Sequence, residues 1–316
     1  MTLYPTASNP VPEGAVSGHV TSEDAVRIRF ARWLPLEGTQ RRGTVTIFSG
    51  RTEFIEKYFE VVRELRARGF AVAILDWRGQ GGSERLLRNP RKGHVASFAE
   101  YQRDLAAVVR DVVLPDCPAP HFALAHSMGG AIFLETVLAG HRWFDRAVIT
   151  APMVELQLVR FSSVLQPAAR LLAHMGFSRA FVPGGGSRAT TSGPFARNPV
   201  TSDPKRYARA AEIVEAHPQL GLGAPTIGWM NAAYETMAHL MAPETVRRIR
   251  QPLLIVAAGA DSIVSNTAVE HLAARLIAGA QVVVPASRHE ILMERDIFRA
   301  QFWAAFDAFI PGSAPY

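Results

Sequence analysis

The chain has 316 residues, of which 48% are hydrophobic and 20% charged; this composition is typical of a folded globular protein and excludes a fibre or a disordered chain. Its single cysteine, Cys117, excludes an intrachain disulfide and a multi-cysteine metal site, and no apolar run is long enough for a membrane-spanning helix. The length predicts one large domain with an insertion, or two domains.

The formal net charge is +6, and basic residues cluster between Arg160 and Arg209, where Asp203 is the only acid. The basic residues of this stretch are Arg160, Arg170, Arg179, Arg188, Arg197, Lys205, Arg206 and Arg209. No nucleic-acid-binding module accompanies them, so we expect no nucleic-acid partner. The stretch favours an anionic membrane surface or the phosphate of a substrate, with a merely solvated surface as the alternative.

The amino-terminal residues lack a basic region followed by a continuous apolar run. We therefore expect no signal peptide and a cytoplasmic location, with peripheral contact to the inner face of the membrane. The oligomeric state is not predicted.

Alternating residues at 16–34 predict half-buried antiparallel strands, with Ile28 and Phe30 on the face opposite Arg27 and Arg29. Short apolar runs of the type found in buried parallel strands follow. They lie at 44–49, 71–75, 122–125, 147–150, 253–258 and 281–284. Helical segments separate most of these runs, which predicts an α/β fold with a mostly parallel sheet and helices on both faces.

Helical patterning is clearest at 54–68, where apolar side chains have the spacing of one helix face. Ser97 and Glu100 form a capping-box pattern that predicts a helix running toward Val113.

The alternation of strands and helices stops between about 152 and 250, where the chain is rich in Pro and Gly. Helical patterning within this stretch lies at 154–172, 206–217 and 227–241. We therefore expect a core formed by residues 16–151 and 251–312, with a helical cap inserted at 152–250.

The strongest local signal surrounds Ser127, which follows the apolar run at 122–125 directly and precedes a helical pattern. Ala125 and Gly129 stand two residues before and after it, with Ala125 where the motif usually has glycine. This pattern is typical of a nucleophile elbow, a turn too tight for bulky neighbours in which the serine backbone is strained. We predict Ser127 as a nucleophile; the alternative is a structural turn.

A serine hydroxyl needs an oriented base, and in the α/β-hydrolase fold the order along the chain is Ser, acid, His. Asp261 and His289 each follow a predicted strand at the required place in that order. The sequence therefore predicts an α/β-hydrolase fold with a Ser127–Asp261–His289 triad. Glu290 and Glu294 are competing acids, but we expect them on a helix, beside or beyond the histidine and unable to face its ring.

Acyl transfer also requires donors for the oxyanion of the tetrahedral intermediate. We predict the backbone N–H of Met128, which follows the nucleophile, and that of Arg51, in a loop where Gly50 permits a tight turn. This assignment uses only the backbone of Arg51 and leaves open whether its side chain has a separate role or none.

The glycine-rich run at 76–83 lacks the spacing of a phosphate-binding loop, so we expect Asp76 and Arg78 to tie loops together. The histidines form no metal-binding motif, and we expect neither a metal nor a cofactor. Trp229 and some methionines of the insertion are predicted to line an apolar acyl groove, with core packing as the alternative.

Several short motifs together resemble the bacterial lysophospholipase L2 family and, more distantly, the monoacylglycerol lipases. They lie at 50–58, 76–81, 93–95, 124–131, 225–229 and 287–292. The resemblance covers most of the chain. It implies a helical cap over the site and hydrolysis of the fatty acyl ester of a lysophospholipid, a single-chain lipid.

The leading prediction is thus a serine esterase that acts through an acyl-enzyme. A monoacylglycerol lipase, a general carboxylesterase, an acyltransferase or an amino-terminal peptidase would use the same triad, since the cap decides the substrate. A dehalogenase or epoxide hydrolase is disfavoured because those enzymes carry Asp at the elbow. A non-catalytic binding protein on the same fold is the remote alternative.

Overall fold

The computed structural model describes residues 3–157 and 162–310, and an eight-stranded sheet lies at the centre of this part of the chain. The strand order is β1-β2-β4-β3-β5-β6-β7-β8. β2 pairs antiparallel with both β1 and β4, and all other neighbours are parallel. The prediction of a mostly parallel sheet with antiparallel strands at its start is confirmed.

The eight strands agree closely with the predicted runs. They are β1 Val16–Thr21, β2 Arg27–Trp33, β3 Thr44–Phe48, β4 Ala71–Leu75, β5 His121–His126, β6 Arg146–Thr150, β7 Leu253–Ala258 and β8 Gly279–Val284. β8 begins two residues earlier than predicted, because Gly279 and Ala280 continue the pairing with β7 although neither has a large apolar side chain.

The helices of the described residues lie on both faces of the sheet and in the insertion. They are α1 Phe59–Ala67, α2 Ala99–Val108, α3 Leu114–Asp116, α4 Met128–Leu138, α5 Ser162–His174, α6 Pro204–Ala216, α7 Ile227–Met241, α8 Pro243–Val246, α9 Asn266–Ala273 and α10 Asp296–Phe309. None of these helices is long and apolar enough to cross a lipid bilayer.

Three predicted helix limits differ from the structure. The helix expected at 54–68 begins as a 3₁₀ turn, Ile55–Tyr58, before α1. The helix expected from Ser97 begins at Ala99, although Glu100 accepts a hydrogen bond from the Ser97 N–H as a capping box requires. The helical prediction for 154–157 is wrong: this segment is irregular and pairs with the loop after β7 through a Leu156–Val264 bridge.

Both faces of β2 are largely covered, and this corrects the prediction that β2 has a solvent face; β8, in contrast, was predicted as a buried strand but is mostly exposed. Arg29 is 1% exposed and makes ion pairs with Glu56 at 2.7 Å and Asp76 at 2.5 Å. A buried arginine is tolerated because two carboxylates compensate its charge. Sequence alternation alone could not show this, since the acids come from other segments.

The glycine-rich run at 76–83 ties loops together, as predicted. Asp76 accepts hydrogen bonds from the Ile55 N–H at 2.9 Å and the Gly82 N–H at 2.6 Å. Arg78 donates to Asp104 at 2.7 Å and lies 2.6 Å from Asp24. These contacts hold together the loops that follow β3 and β4.

The inserted segment contacts loops at the carboxyl ends of the strands. Pro225 forms a β-bridge with Gly93, in the connection after β4, and Leu156 forms one with Val264, after β7. Helix α7 also joins the main hydrophobic core, where Trp229 is buried. The insertion is therefore packed onto the core through α7, and a small second cluster joins its Ile213 and Leu220 to Phe54.

The basic stretch of the insertion is partly neutralised. Arg206 pairs with Glu60 and Asp296, both at 2.6 Å, and Arg209 also pairs with Glu60. These partners lie outside the stretch, in α1 and at the start of α10, so the count of charges within it did not include them. Of the eight basic residues, Arg160 lies outside the described residues. Those with exposed side chains are Arg170, Arg179, Arg188, Arg197 and Lys205.

Candidate active site

Ser127 stands at a sharp turn between β5 and α4. Its φ is +51°, in the left-handed region that non-glycine residues rarely adopt, so the strained backbone expected at the elbow is present. A Cβ added at Gly129 would lie 2.1 Å from the Phe48 carbonyl oxygen, and Ala125 is fully buried. The small residues that the sequence places around Ser127 are therefore required by the packing.

The three residues predicted as a triad lie within hydrogen-bond distance of one another. His289 Nδ1 is 2.7 Å from Asp261 Oδ2, and His289 Nε2 is 3.0 Å from Ser127 Oγ. All three side chains are buried. The distances fit the tautomer in which Nδ1–H donates to the carboxylate and Nε2 accepts from the hydroxyl. This arrangement is able to activate a serine as a nucleophile.

Asp261 is held as a carboxylate by its surroundings. Burial favours the protonated form, but the hydrogen bond and charge of His289 outweigh it and lower the pKa of Asp261. The amides of Ile263 and Val264 also donate to Asp261 Oδ1, at 2.7 and 3.1 Å. The two amides therefore hold Oδ1, and Oδ2 is left to accept the hydrogen bond from the imidazole.

The competing acids Glu290 and Glu294 make no contact with the His289 ring among the described residues. Glu290 pairs with Lys57, and Glu294 accepts hydrogen bonds from the Arg288 N–H and from Ser202. Their expected helical setting is wrong, however. Only a 3₁₀ turn, Ile291–Met293, follows His289, and α10 begins at Asp296.

The loop after β3 carries the predicted oxyanion donor Arg51. The neighbouring Gly50 N–H donates to the Glu53 carboxylate, whereas the Arg51 N–H has no hydrogen-bond partner among the described residues. Met128 is the first residue of α4, where the helix offers its N–H no acceptor. Both amides are thus available for an oxyanion, and their joint role stays a prediction.

A buried ionic network that the sequence analysis missed supports this loop. Glu53 accepts hydrogen bonds from Tyr58 at 2.6 Å and Lys57 at 2.9 Å, and Lys57 also donates to Glu290 at 2.6 Å. Burial opposes the charge on Glu53, but Lys57 and His126 lower its pKa to about 2. The Glu53–Lys57 spacing of four residues was the only sequence signal, and such pairs are usually exposed.

His126 lies between this network and the triad. Its ring centroid is 4.9 Å from that of His289, and its Nδ1 is 3.0 Å from Thr150 Oγ1. Burial lowers the pKa of His126 to about 4, with His289 and Lys57 acting in the same direction. His126 is therefore neutral at neutral pH and adds no positive charge beside the His289 imidazole.

Trp229, predicted to line an acyl groove, is buried between the insertion and the core. Its Nε1 donates to Tyr101 Oη at 3.1 Å, and its ring lies 6.0 Å from that of Phe98. Met175, another residue considered for this groove, is 61% exposed. A contact between Trp229 and a substrate stays a prediction.

A cavity of about 320 Å³ lies beside the triad-bearing loops. Thr52, Ile263 and Glu290 line it from the loops that carry Arg51, Asp261 and His289, and Val200 and Tyr207 line it from the insertion. Its surface is mostly apolar. No cluster of three or more His, Cys, Asp or Glu side chains suited to a metal ion occurs among residues 3–157 and 162–310.

Comparison with known proteins shows the family of the chain. Residues 39–296 match the family described as serine aminopeptidase, S33. The chain is 32% identical to lysophospholipase L2 of Escherichia coli K12 over 294 residues, which cover 89% of this chain and 83% of that protein. It is 25% identical to a probable lysophospholipase L2 of Haemophilus influenzae, with 92% and 91% covered.

The fold is also that of a solved structure of a monoglyceride lipase. A soluble variant of the Saccharomyces cerevisiae enzyme, in complex with a substrate analogue, superposes with a TM-score of 0.76 at 20% identity, covering 99% of this chain and 100% of that one. The predicted α/β-hydrolase fold is thereby confirmed. The chain belongs to the serine aminopeptidase S33 family of α/β-hydrolases and is a carboxylic ester hydrolase.

Proposed function

We propose that this protein is a lysophospholipase that cleaves the fatty acyl ester of a lysophospholipid through a Ser127–His289–Asp261 triad. The observation that carries the proposal is the continuous hydrogen-bonded line from Asp261 through His289 to Ser127, with distances of 2.7 and 3.0 Å. His289 takes the proton of Ser127 as the hydroxyl oxygen attacks the ester carbonyl, and Asp261 stabilises the imidazolium that forms.

The negative charge of the tetrahedral intermediate falls on the former carbonyl oxygen, to which the amides of Arg51 and Met128 donate. The intermediate collapses as His289 gives the proton to the departing oxygen of the glycerol, and the deacylated glycerophosphate compound leaves. Water then attacks the acyl-enzyme with His289 as the base, and the fatty acid leaves.

The substrate assignment is supported by the similarity to lysophospholipase L2 and by the cavity at the edge of the insertion. A mostly apolar cavity suits an acyl chain, and a volume of about 320 Å³ suits a small part of one lipid rather than a two-chain phospholipid. Monoacylglycerol hydrolysis is the second candidate, favoured by the likeness to a monoglyceride lipase structure.

We also propose that the insertion acts as a substrate-selecting cap and meets an anionic membrane surface. Apolar side chains of α5 and the turn after it are exposed, with Leu171 at 61% and Phe177 at 50%. Arg170 and Arg179 are exposed on the same stretch of chain. An apolar patch with neighbouring cations is the composition that binds the interface of anionic lipids. Such contact would bring a lipid substrate to the cap.

A hydrolysis panel tests the proposed substrate. Purified protein is offered a lysophospholipid, a monoacylglycerol and a short nitrophenyl ester, and kcat/KM is measured for each. The proposal predicts the highest value for the lysophospholipid. A higher value for the monoacylglycerol would replace the proposal with the second candidate. Failure to label with a fluorophosphonate probe and to hydrolyse any of the three esters would reject the proposed serine mechanism.

A further inference from the structure

Arg51 is a partly buried cation without a carboxylate partner among the described residues. Its Nη2 donates to the Gly223 carbonyl oxygen at 2.9 Å, and its Cζ lies 5.0 Å from the centre of the Trp229 ring. Its Nε is buried and has no hydrogen-bond partner. Burial lowers the pKa of Arg51 to about 10, which still leaves the guanidinium charged at neutral pH.

Three other buried cations among the described residues are compensated, whereas Arg91, which also has no carboxylate partner there, leaves its Nη1 buried without a hydrogen-bond partner. Arg29 and Lys57 each pair with two carboxylates. Arg85 has no carboxylate partner but donates to the carbonyl oxygens of Gly79, Gly81 and Gln219, the last of which belongs to the insertion. A buried charge is costly unless it is paired and hydrogen-bonded. Arg51 is charged, lacks a carboxylate partner and has free donors, so it is able to bind an anion.

The position of Arg51 next to the proposed site of the ester carbonyl indicates which anion it binds. Under the proposed function, its backbone N–H holds the oxygen of the ester carbonyl. In Arg51, a chain of covalent bonds joins the backbone amide nitrogen to Cζ. In a 1-acyl lysophospholipid, a chain with the same number of bonds joins the ester carbonyl carbon to the phosphorus. A substrate whose carbonyl is held by the Arg51 amide, and whose glycerol runs beside the Arg51 side chain, would therefore bring its phosphate to the Arg51 guanidinium.

We propose that the Arg51 guanidinium binds the phosphate group of the substrate and makes the enzyme prefer lysophospholipids over monoacylglycerols. This inference rests on the proposed function. Arginine suits this role because its planar fork of donors matches two phosphate oxygens at once. The phosphate supplies the missing counter-charge, and the contacts with Gly223 and Trp229 hold the guanidinium in place without neutralising it.

The test compares two substrates with the same acyl chain, a 1-acyl lysophospholipid and a 1-monoacylglycerol, both kept below their micelle-forming concentrations. The readout is the ratio of their kcat/KM values, which is insensitive to a general loss of activity. Replacing Arg51→Met is expected to lower the ratio by about tenfold to a hundredfold, the range for a lost charge-assisted hydrogen bond. Arg51→Lys, which keeps the charge without the fork, is expected to lower it less.

Arg85→Met is the matched control, because it also removes an arginine that joins the core to the insertion. It is expected to leave the ratio unchanged. If Arg51→Met slows both substrates equally, the ratio of their kcat/KM values is unchanged. Arg51 would then only hold the insertion in place, and the inference would be overturned. An equal fall of the ratio in Arg85→Met would overturn it as well.

A binding measurement covers the case in which Arg51→Met is inactive. Calorimetry on Ser127→Ala protein, with and without Arg51→Met, is expected to show weaker binding of the lysophospholipid in the double variant. Equal binding overturns the inference. Glycerol 3-phosphate is also expected to inhibit monoacylglycerol hydrolysis by the wild type more than inorganic phosphate does; inhibition by inorganic phosphate alone contradicts a headgroup site.

The inference and the proposed function fail in different ways. If the wild type hydrolyses monoacylglycerols but no lysophospholipid, the proposed function is wrong. If it hydrolyses lysophospholipids and Arg51→Met retains the wild-type ratio, only the role of Arg51 is wrong.

Discussion

Lys57 Nζ lies 2.6 Å from Glu290 Oε1, and this buried ion pair joins the turn before α1 to the residue that follows His289. The same ammonium pairs with Glu53, whose carboxylate binds the Gly50 amide in the loop that carries Arg51. Burial opposes the charge on Lys57, but Glu290 and Glu53 raise its pKa above the ordinary value. One lysine therefore links the histidine loop to the loop of the predicted oxyanion donor.

Lys57→Met is expected to lower the free energy of unfolding by about 3 to 5 kcal/mol, because it leaves two buried carboxylates without their cation. Urea denaturation at neutral pH measures the change. Lys205→Met, at an exposed position of α6, is the matched control and is expected to stay within about 0.5 kcal/mol of the wild type. A loss below about 1 kcal/mol in Lys57→Met would show that the network does not stabilise the fold.

Ser127→Ala and His289→Ala are expected to lower kcat on a soluble ester by several orders of magnitude with the fold intact, because only substrate binding and the oxyanion donors are left. Asp261→Asn is expected to cost about 10⁴-fold, since the amide no longer favours the required imidazole tautomer. Stopped-flow or steady-state hydrolysis measures these changes. His271→Ala, at an exposed histidine of α9, serves as the control. Hydrolysis by Ser127→Ala at the wild-type rate would end the mechanism.

The sequence was sufficient to predict that Ser127, Asp261 and His289 lie close together, because each stands at or shortly after the carboxyl end of a strand that an apolar run identifies. In a parallel sheet such positions converge on one edge, so chain order and strand context predict their proximity. Ser127 and His289 are 162 residues apart, and the fold brings them to 3.0 Å.

The ionic contacts were not predictable in the same way. Lys57 and Glu290 are 233 residues apart, and neither follows a strand directly or belongs to a motif with a defined partner. The same holds for Arg206 and Glu60, which are 146 residues apart and remove one charge from the basic stretch. Local patterns report burial and periodicity, whereas a charge pair between distant segments depends on how whole helices pack.

Protein stability is expected to fall as pH is lowered from about 6.5 to 4, in part because of His126. An unfolded histidine has a pKa of about 6.5, whereas burial lowers that of His126 to about 4. Between these values the unfolded chain binds a proton that the native chain does not, so acid favours unfolding. The contribution is present in full above pH 6.5 and is lost as pH falls toward 4, at a maximum slope of about 1.4 kcal/mol per pH unit.

His126→Gln tests this origin through urea denaturation across the same pH range. Its free energy of unfolding is expected to depend less steeply on pH than that of the wild type. His271→Gln, at the exposed site on α9, should keep the wild-type slope. If the His126→Gln slope equals that of the wild type, the acid sensitivity comes from other groups.

The exposed apolar and basic side chains of α5 and its following turn are expected to bind anionic vesicles in a salt-dependent manner. Each cation near such a surface contributes about 1 kcal/mol, or about fivefold in affinity, within a screening length of about 8 Å at physiological salt. Vesicle co-sedimentation should therefore show weaker binding as salt rises. Reversing Arg170 and Arg179 together to Glu should remove most of the salt dependence.

The apolar part of the same contact is tested by Leu171→Glu and Phe177→Glu, which should weaken binding at every salt concentration because they place a charge where an apolar side chain enters the interface. Ile277→Glu is the matched control. Ile277 is 62% exposed but lies just before β8, at the amino edge of the sheet, and does not belong to α5 or the turn after it. Its variant should bind like the wild type. Equal binding of the wild type to neutral and anionic vesicles, unaffected by salt, would leave these cations with a role in solubility only.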